Sequence, residues 1–203
     1  MTSVRQQNFL LRKEKILAMA ETLLLDNNQD ITLSELATEL DIAKGTIYKH
    51  FKSKNQLYLE LIILNETRLL EISQKHNNDI KTYVSEYMLY NMLNSNRTIL
   101  LHVIEERLTN NERKLKELFE KLYQIREHRI IEIKDMTSDY LKSLDSAMSI
   151  RDYLSYVWTV TYGASLLLNS THYQKSIGSR ERLIKLYVNQ ALMTPDKISH
   201  SAL

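Results

Sequence analysis

From Ile42 to Leu59 the chain runs for eighteen residues with no Asp or Glu, four Lys and one His. At its centre is Lys44-Gly45-Thr46-Ile47-Tyr48-Lys49-His50-Phe51-Lys52-Ser53-Lys54, cations interleaved with apolar residues at regular spacing. Lysines without acids, beside Thr, Tyr and His, are suited to neutralising and hydrogen-bonding phosphate. A short helix that is cationic outside and pinned by apolar residues inside fits a phosphate-lined groove, so double-stranded DNA is the expected partner.

On a helical wheel Ile47 and Phe51, with Ala43, form the buried stripe. Gly45 and Lys49 point away from it, Thr46 and Tyr48 flank that outward face, and His50 lies nearer the core boundary. A glycine in a helix costs about 1 kcal/mol against alanine. Close approach of backbone to a DNA surface gives Gly45 a reason to be there. Lys54 falls in the first turn of the next helix, where a cation opposes the macrodipole by roughly 0.3–1 kcal/mol. A phosphate docked at that N-terminus would turn the penalty into an advantage. A merely solvated face explains any one of Lys49, Lys52 and Lys54. Their coincidence with Gly45 and the missing acids favours DNA.

The elements that position these residues are legible around them. Arg12 to Leu25 reads as an amphipathic helix with Ile16, Leu17, Ala20, Leu23 and Leu24 on one face. Asp26-Asn27-Asn28-Gln29-Asp30 ends it in a polar turn. Thr32-Leu33-Ser34-Glu35 is a T-x-x-E capping box opening a second helix that buries Leu36, Ala37 and Leu40. Asp41 marks a tight turn into the short third helix, expected to end near Phe51. Ser53-Lys54-Asn55-Gln56 is an S-x-x-Q box opening a long fourth helix. Two helices joined by such a turn make a helix-turn-helix, the second being the groove reader.

The stretch Ile42 to Leu57 closely resembles the signature of TetR-family transcriptional regulators, and Ile16…Ala20, Ile31-Thr32 and Leu36-Ala37 fit the same pattern. The resemblance covers about Arg12 to Leu61. It implies an all-α homodimer: a three-helix helix-turn-helix head joined by a long helix to a C-terminal helical bundle for ligand binding and dimerisation. It further implies that Thr46 and Lys49, with the backbone around Lys44 and Gly45, face the groove. Tyr48, His50 and Lys54 match phosphate contacts, and Thr32 and Ser34 resemble positions that touch the DNA backbone. Two residues depart from the pattern. Asp41 stands where glycine is usual, and Asp tolerates a left-handed conformation better than most residues. Ala43 replaces the common Ser cap, weakening it by about 1 kcal/mol.

On this reading residues 9–56 form the DNA-binding head and 57–203 the body. No Pro-, Gly- or Ser-rich linker divides them, and the fourth helix, Ser53 to about Lys75, runs between them. Further helices are expected at Ile80–Leu93, Arg97–Leu108, Glu112–Leu144, Ser149–Asn169 and Ser179–Met193. Breaks fall at His76–Asp79, Thr109–Asn111 and Ser170–Gly178, with fraying from Thr194. Tyr153 to Leu168 is apolar nearly all round and must be buried on several faces. With the next helix doubled across a two-fold axis it would form a four-helix dimer interface, the arrangement the resemblance implies; one monomeric core is the alternative. Ten of twelve Tyr follow residue 80. With Met and Trp158 they would suit a small, mostly apolar effector. Tyr87, His102, Tyr123 and Trp158 are candidate cavity residues, although Tyr and Met on helices are more often plain core.

Composition narrows the classes. The 203 residues carry a net charge of +2, so nucleic-acid contact must come from a local patch. Three Gly and one Pro disfavour a loop-rich β fold. No cysteine is present, which excludes disulfides and thiolate metal sites. There is no phosphate-cradling glycine loop, G-x-S-x-G elbow or H-E-x-x-H, and the six His are scattered. His102 with Glu106 and His128 with Glu132 have i,i+4 spacing, better explained as salt bridges than as metal ligands. No enzyme, cofactor or metal is expected. No signal peptide or membrane span is read, and a bacterial cytoplasmic location, on the nucleoid when bound, is expected. The leading expectation is a ligand-responsive homodimeric repressor on a near-palindromic operator. The rival is a DNA-bound adaptor whose body binds a protein in nucleoid or cell-division control, with no small-molecule effector.

Overall fold

The computed structural model describes residues 3–27, 30–111, 113–176 and 178–197, which contain helices and no strand. The first helix, α1 (Val4–Asn27), begins eight residues before the expected Arg12. Ser3 caps it: its carbonyl accepts from Gln7 N–H at 3.0 Å and its Oγ from Gln6 N–H at 3.3 Å. Nothing between Val4 and Leu11 breaks a helix, and the polar residues there lie on an exposed surface.

Helix α2 (Leu33–Glu39) opens on the expected capping box. Glu35 N–H donates to Thr32 Oγ1 at 3.1 Å, and Thr32 N–H to Glu35 Oε2 at 2.8 Å. The helix closes with Asp41 at φ 50, in the left-handed region. Asp41 N–H bonds to the Thr38 carbonyl and Ile42 N–H to that of Ala37, the paired bonds of a Schellman motif. Asp41 therefore performs the turn that glycine usually makes.

Helix α3 (Lys44–Tyr48) is five residues long. Its cap, Ala43, makes no side-chain hydrogen bond and is exposed, outside the buried stripe to which the sequence assigned it. Ile47 and Phe51 are fully buried. Helix α4 (Lys54–Lys75) runs unbroken from head to body. Gln56 N–H donates to Ser53 Oγ at 3.1 Å, but Gln56 Oε1 accepts from Lys52 N–H at 2.9 Å, so this box closes one residue upstream.

After α4 come α5 (Ile80–Leu93), α6 (Ser95–Asn111), a 3-10 turn (Arg113–Leu115), α7 (Lys116–Ser143), α8 (Ile150–Asn169), α9 (Thr171–Ser176) and α10 (Arg180–Lys197). Helix α6 continues through the expected break at Thr109–Asn111. The stretch expected as a loop at Ser170–Gly178 holds α9, whose Tyr173 is buried. Thr194 to Lys197 is helical; the rest of the expected frayed tail lies outside the described residues.

One apolar core gathers Ile16, Ala20, Leu36, Ile47, Phe51 and Leu57 of the head with Leu101 and Leu108 of α6 and Leu122 of α7. A second core joins α5, α7, α8 and α10 around Val84, Met88, Tyr153 and Ala191. Ion pairs tie the head to the body. Glu21 of α1 accepts from both terminal nitrogens of Arg68 on α4 at 2.6 and 2.8 Å, and lies 3.6 Å from Arg97 of α6. Burial alone would raise the Glu21 pKa, but the bonds and charge of Arg68, with Arg97, hold it below the ordinary value.

Glu21→Gln is expected to lower stability by about 1.5–3 kcal/mol in urea unfolding, the worth of a hydrogen bond to a charged group. In the unchanged protein the tie contributes fully above pH 4.5, the ordinary glutamate value, and is lost as pH falls through the lower folded-state value.

Candidate nucleic-acid interface

Burying Ile47 and Phe51 fixes which side of α3 faces outward. Lys44, Gly45, Tyr48 and Lys49 are exposed, and Thr46 and His50 are half-buried. A Cβ built at Gly45 would meet nothing within 4 Å, so no contact inside the protein demands glycine there. That leaves an open backbone face, as close approach to an external surface requires.

Thr32 and Ser34 lie exposed at the start of α2, beside α3. Lys44 Nζ donates to Ser34 Oγ at 3.0 Å, bringing two of the expected residues together. His50 is positioned from the opposite side. Its ring packs on Phe9 of α1 with centroids 4.1 Å apart, and its Nδ1 is buried with no hydrogen-bond partner. Burial, then the charges of Arg12 and Lys13, depress its pKa below 6.5. His50 is therefore neutral at pH 7, and an adjacent phosphate would favour its cationic form. Phe9 lies before the expected helix start, and Arg12 and Lys13 lie inside that helix, but nothing local in the sequence links any of them to His50, about 40 residues away.

Lys54 differs most from expectation. It sits in the first turn of α4, but its ammonium already has an anion: Nζ lies 2.6 Å from Asp30 Oδ2. The macrodipole penalty is thus offset inside the protein. Asp30 also accepts from the Tyr58 hydroxyl at 2.6 Å, and that hydroxyl accepts from Ile31 N–H at 3.0 Å. Arg107 of α6 reaches Asp30 at 3.7 Å. Burial alone would raise the Asp30 pKa; the bonds from Lys54 and Tyr58 hold it below the ordinary carboxylate value. Burial, reinforced by Asp30, pushes the Tyr58 phenol up. Tyr58 stands four residues after Lys54 on the same helix face, which is the one signal that pointed to this network.

Among the described residues no group of three or more His, Cys, Asp or Glu could hold a metal ion. No helix among the described residues is long and apolar enough to cross a membrane. His128 Nε2 lies 3.1 Å from Glu132, the expected i,i+4 pair, whereas His102 packs edge-on against Tyr162. A cavity of about 410 Å³ opens between α4, α6, α7 and α8. Tyr87, His102 and Trp158 line it; Tyr123 does not, being exposed beside Phe119.

These features define a helix-turn-helix protein whose exposed second helix is cationic and free of acids. Residues 16–61 match the family model described as bacterial regulatory proteins, tetR family. Over 82 residues the chain is 34% identical to the HTH-type transcriptional regulator QacR of Staphylococcus aureus, a stretch covering 40% of this chain and 44% of that protein. The chain thus spans less than half the length of the curated relative it matches. The likeness thus lies in the helix-turn-helix head, which is similar to that of the tetR family of regulators.

Asp30→Asn keeps an acceptor for Tyr58 but removes the charge facing Lys54. DNA affinity is expected to rise about three- to ten-fold, with a salt slope steeper by about 0.9, as for one more neutralised phosphate. A titrated mobility-shift assay of both proteins at two salt concentrations measures it, and unchanged affinity would show that Asp30 does not compete with DNA for Lys54.

Proposed function

We propose that the protein is a homodimeric, sequence-specific DNA-binding transcriptional regulator, acting as a ligand-responsive repressor. The observation that carries the reading is the outward face of α3: Gly45 and Lys49 are open, with Lys44, Thr46 and Tyr48 beside them. Thr46 and Lys49 would read bases in the major groove. Thr32, Ser34, Tyr48, His50 and Lys54 would hold phosphates, fixing register. Two heads about 34–36 Å apart would occupy successive major grooves of a near-palindrome.

The dimer rests on exposed apolar surface that one protomer cannot cover. Leu166 and Leu167 of α8 and Leu186 and Met193 of α10 are exposed, although the sequence of α8 demands burial on several faces. A Cβ at Gly163 would meet nothing within 4 Å, leaving room for a partner helix to approach closely. Pairing α8 and α10 with their copies would bury this surface in a four-helix arrangement.

The 410 Å³ cavity supports an effector rather than the adaptor reading, since its size falls in the range of small-molecule sites. Glu66 of α4 lines it, and the same helix begins at Lys54, so a ligand there acts on the element that carries the head.

Genomic-fragment selection with the purified protein, followed by mobility shift on the recovered operator, tests the reading. With roughly six phosphates neutralised per dimer, log affinity should fall against log salt with a slope near −5. Lys49→Ala should erode discrimination between operator and random DNA, while Lys54→Ala should weaken both about equally. A flat salt dependence would defeat the proposal.

Leu186→Glu is expected to convert a dimer to monomers in sedimentation equilibrium and to weaken operator binding by at least about a hundred-fold, because the second half-site is lost. A variant that remains dimeric would place the interface elsewhere.

A further inference from the structure

We propose that the cleft between α5, α7 and α8 binds a small amphipathic anion: an apolar chain or ring ending in one carboxylate or phosphate. The inference rests on the effector-responsive reading above and extends it from the 410 Å³ cavity to the adjoining cleft, whose lining selects its own ligand chemistry. The cleft has a volume of about 700 Å³. Its walls are mainly apolar, with Ile130 and Ile133 on α7 and Leu154 and Trp158 on α8. The charged groups lining it are Arg129, Lys134 and Arg151, and no Asp or Glu is among the described residues that line it. Three cations and no anion beside an apolar wall repel a cationic ligand. They leave a neutral one without a partner for the charges, and they complement an anion with an apolar body.

Arg129 sets the polar end. Its side chain is 13% exposed, and its buried Nε has no hydrogen-bond partner. The remaining interactions are long: Nη2 lies 3.4 Å from Glu66 Oε2, and Nη1 lies 3.5 Å from the Tyr83 hydroxyl. A buried guanidinium with an unused donor is costly to leave so, and a carboxylate or phosphate accepts from such a fork in bidentate fashion. Glu66 has a better-placed partner in Arg126, whose Nε donates to it at 3.1 Å. An incoming anion that draws Arg129 from Glu66 leaves Oε1 on Arg126 but takes the facing cation from Oε2, which is buried without a hydrogen bond, so the anion must outcompete a long, poorly satisfied pair.

The consequence runs along α4. Glu66 belongs to the helix that starts at Lys54, and its pairing with Arg129 is one tie between α4 and α7. An anion that takes Arg129 loosens that tie on the side of the helix facing the body. The adjoining 410 Å³ cavity shares Tyr87, Arg129 and Trp158 with the cleft but is also lined by Glu66, Glu105 and Glu106. Arg126 lines that cavity too and pairs with Glu66 and Glu105, so the cavity has no excess of cations and the cleft does.

Trp158 is the sole tryptophan and lines both the cleft and the adjoining cavity, so its emission reports occupancy of either, and the Lys134 and Arg151 variant below, altered only in the cleft, assigns it. The full-length protein would be titrated with decanoate, decyl phosphate, 1-decanol and decyltrimethylammonium below their micellar concentrations at fixed ionic strength. A saturable Trp158 response is expected to one or both anions at concentrations at least about ten-fold below those for the alcohol or the cation, the worth of a charge-assisted hydrogen bond. Preference between decanoate and decyl phosphate then assigns a free acid or a phosphate monoester. The double variant Lys134→Gln, Arg151→Gln, altered at the rim, should weaken anion binding about five-fold or more while the thermal midpoint holds. Arg129→Gln should abolish it; if that variant misfolds, the double variant decides. No anion response, equal or tighter binding of the cation, or an unaffected double variant overturns the inference. DNA binding by the ligand-free protein is scored separately, so its failure sinks the regulator reading and not the site. Anion binding that leaves operator affinity unchanged upholds the site and removes its effector role.

Discussion

A helix of five residues has no stability of its own, because nucleation fixes several residues before a hydrogen bond repays the entropy. Helix α3 also lacks a side-chain cap at Ala43. What holds it is the burial of Ile47 and Phe51 against Ile16, Ala20 and Leu36, together with the Schellman turn that delivers the chain to Lys44. Each buried side chain of this kind contributes about 1.5–3 kcal/mol. The orientation of Gly45 and Lys49 is thus a property of the core beneath them. Moving either anchor would rotate the outward face before it changed any residue on it.

The charges around that core are arranged in ties rather than left as a bulk field. With a net charge of +2, the chain concentrates cations on one face and spends its acids joining elements. Asp30 links the loop before α2 to Lys54 and Arg107; Glu21 links α1 to Arg68 and Arg97; Glu66 and Glu105 link α4 and α6 to Arg126. Each tie joins separate elements of the chain, and each includes a residue of α4. In water such pairs are worth little, but partial burial gives them geometric weight, since the carboxylate fixes where a guanidinium may sit. They set the position of α4 relative to head and body at once.

Local signals were legible and distant ones were not. Thr32 and Glu35 announced α2 because a capping box is complete within four residues, and Asp41 announced its turn because few residues adopt φ 50. The exposed side of α3 followed from two apolar residues at i, i+4 spacing. The early start of α1 was missed because Val4 to Leu11 is neither strongly amphipathic nor broken. Helix α9 was missed because six residues between Ser170 and Gly178 are too short to show a period. The partner of Lys54 was invisible for a different reason: Asp30 is 24 residues away and appeared in sequence as one more polar residue of a turn. The cavities follow the same logic. Tyr87, His102 and Trp158 stood out as types, but only packing decides that they share a wall and that Tyr123 does not.

The Lys54 pairing changes how the head should be understood. Had Lys54 been unpartnered, the N-terminus of α4 would have been a standing cationic site, binding phosphate with little competition. With Asp30 in place, phosphate must compete with a carboxylate already at hydrogen-bond distance, and Asp30 keeps Tyr58 and Arg107 as alternative partners once displaced. Because Arg107 lies on α6, Asp30 is held in common by the N-terminus of α4 and by α6, and any movement of one helix against the other changes the field at Lys54.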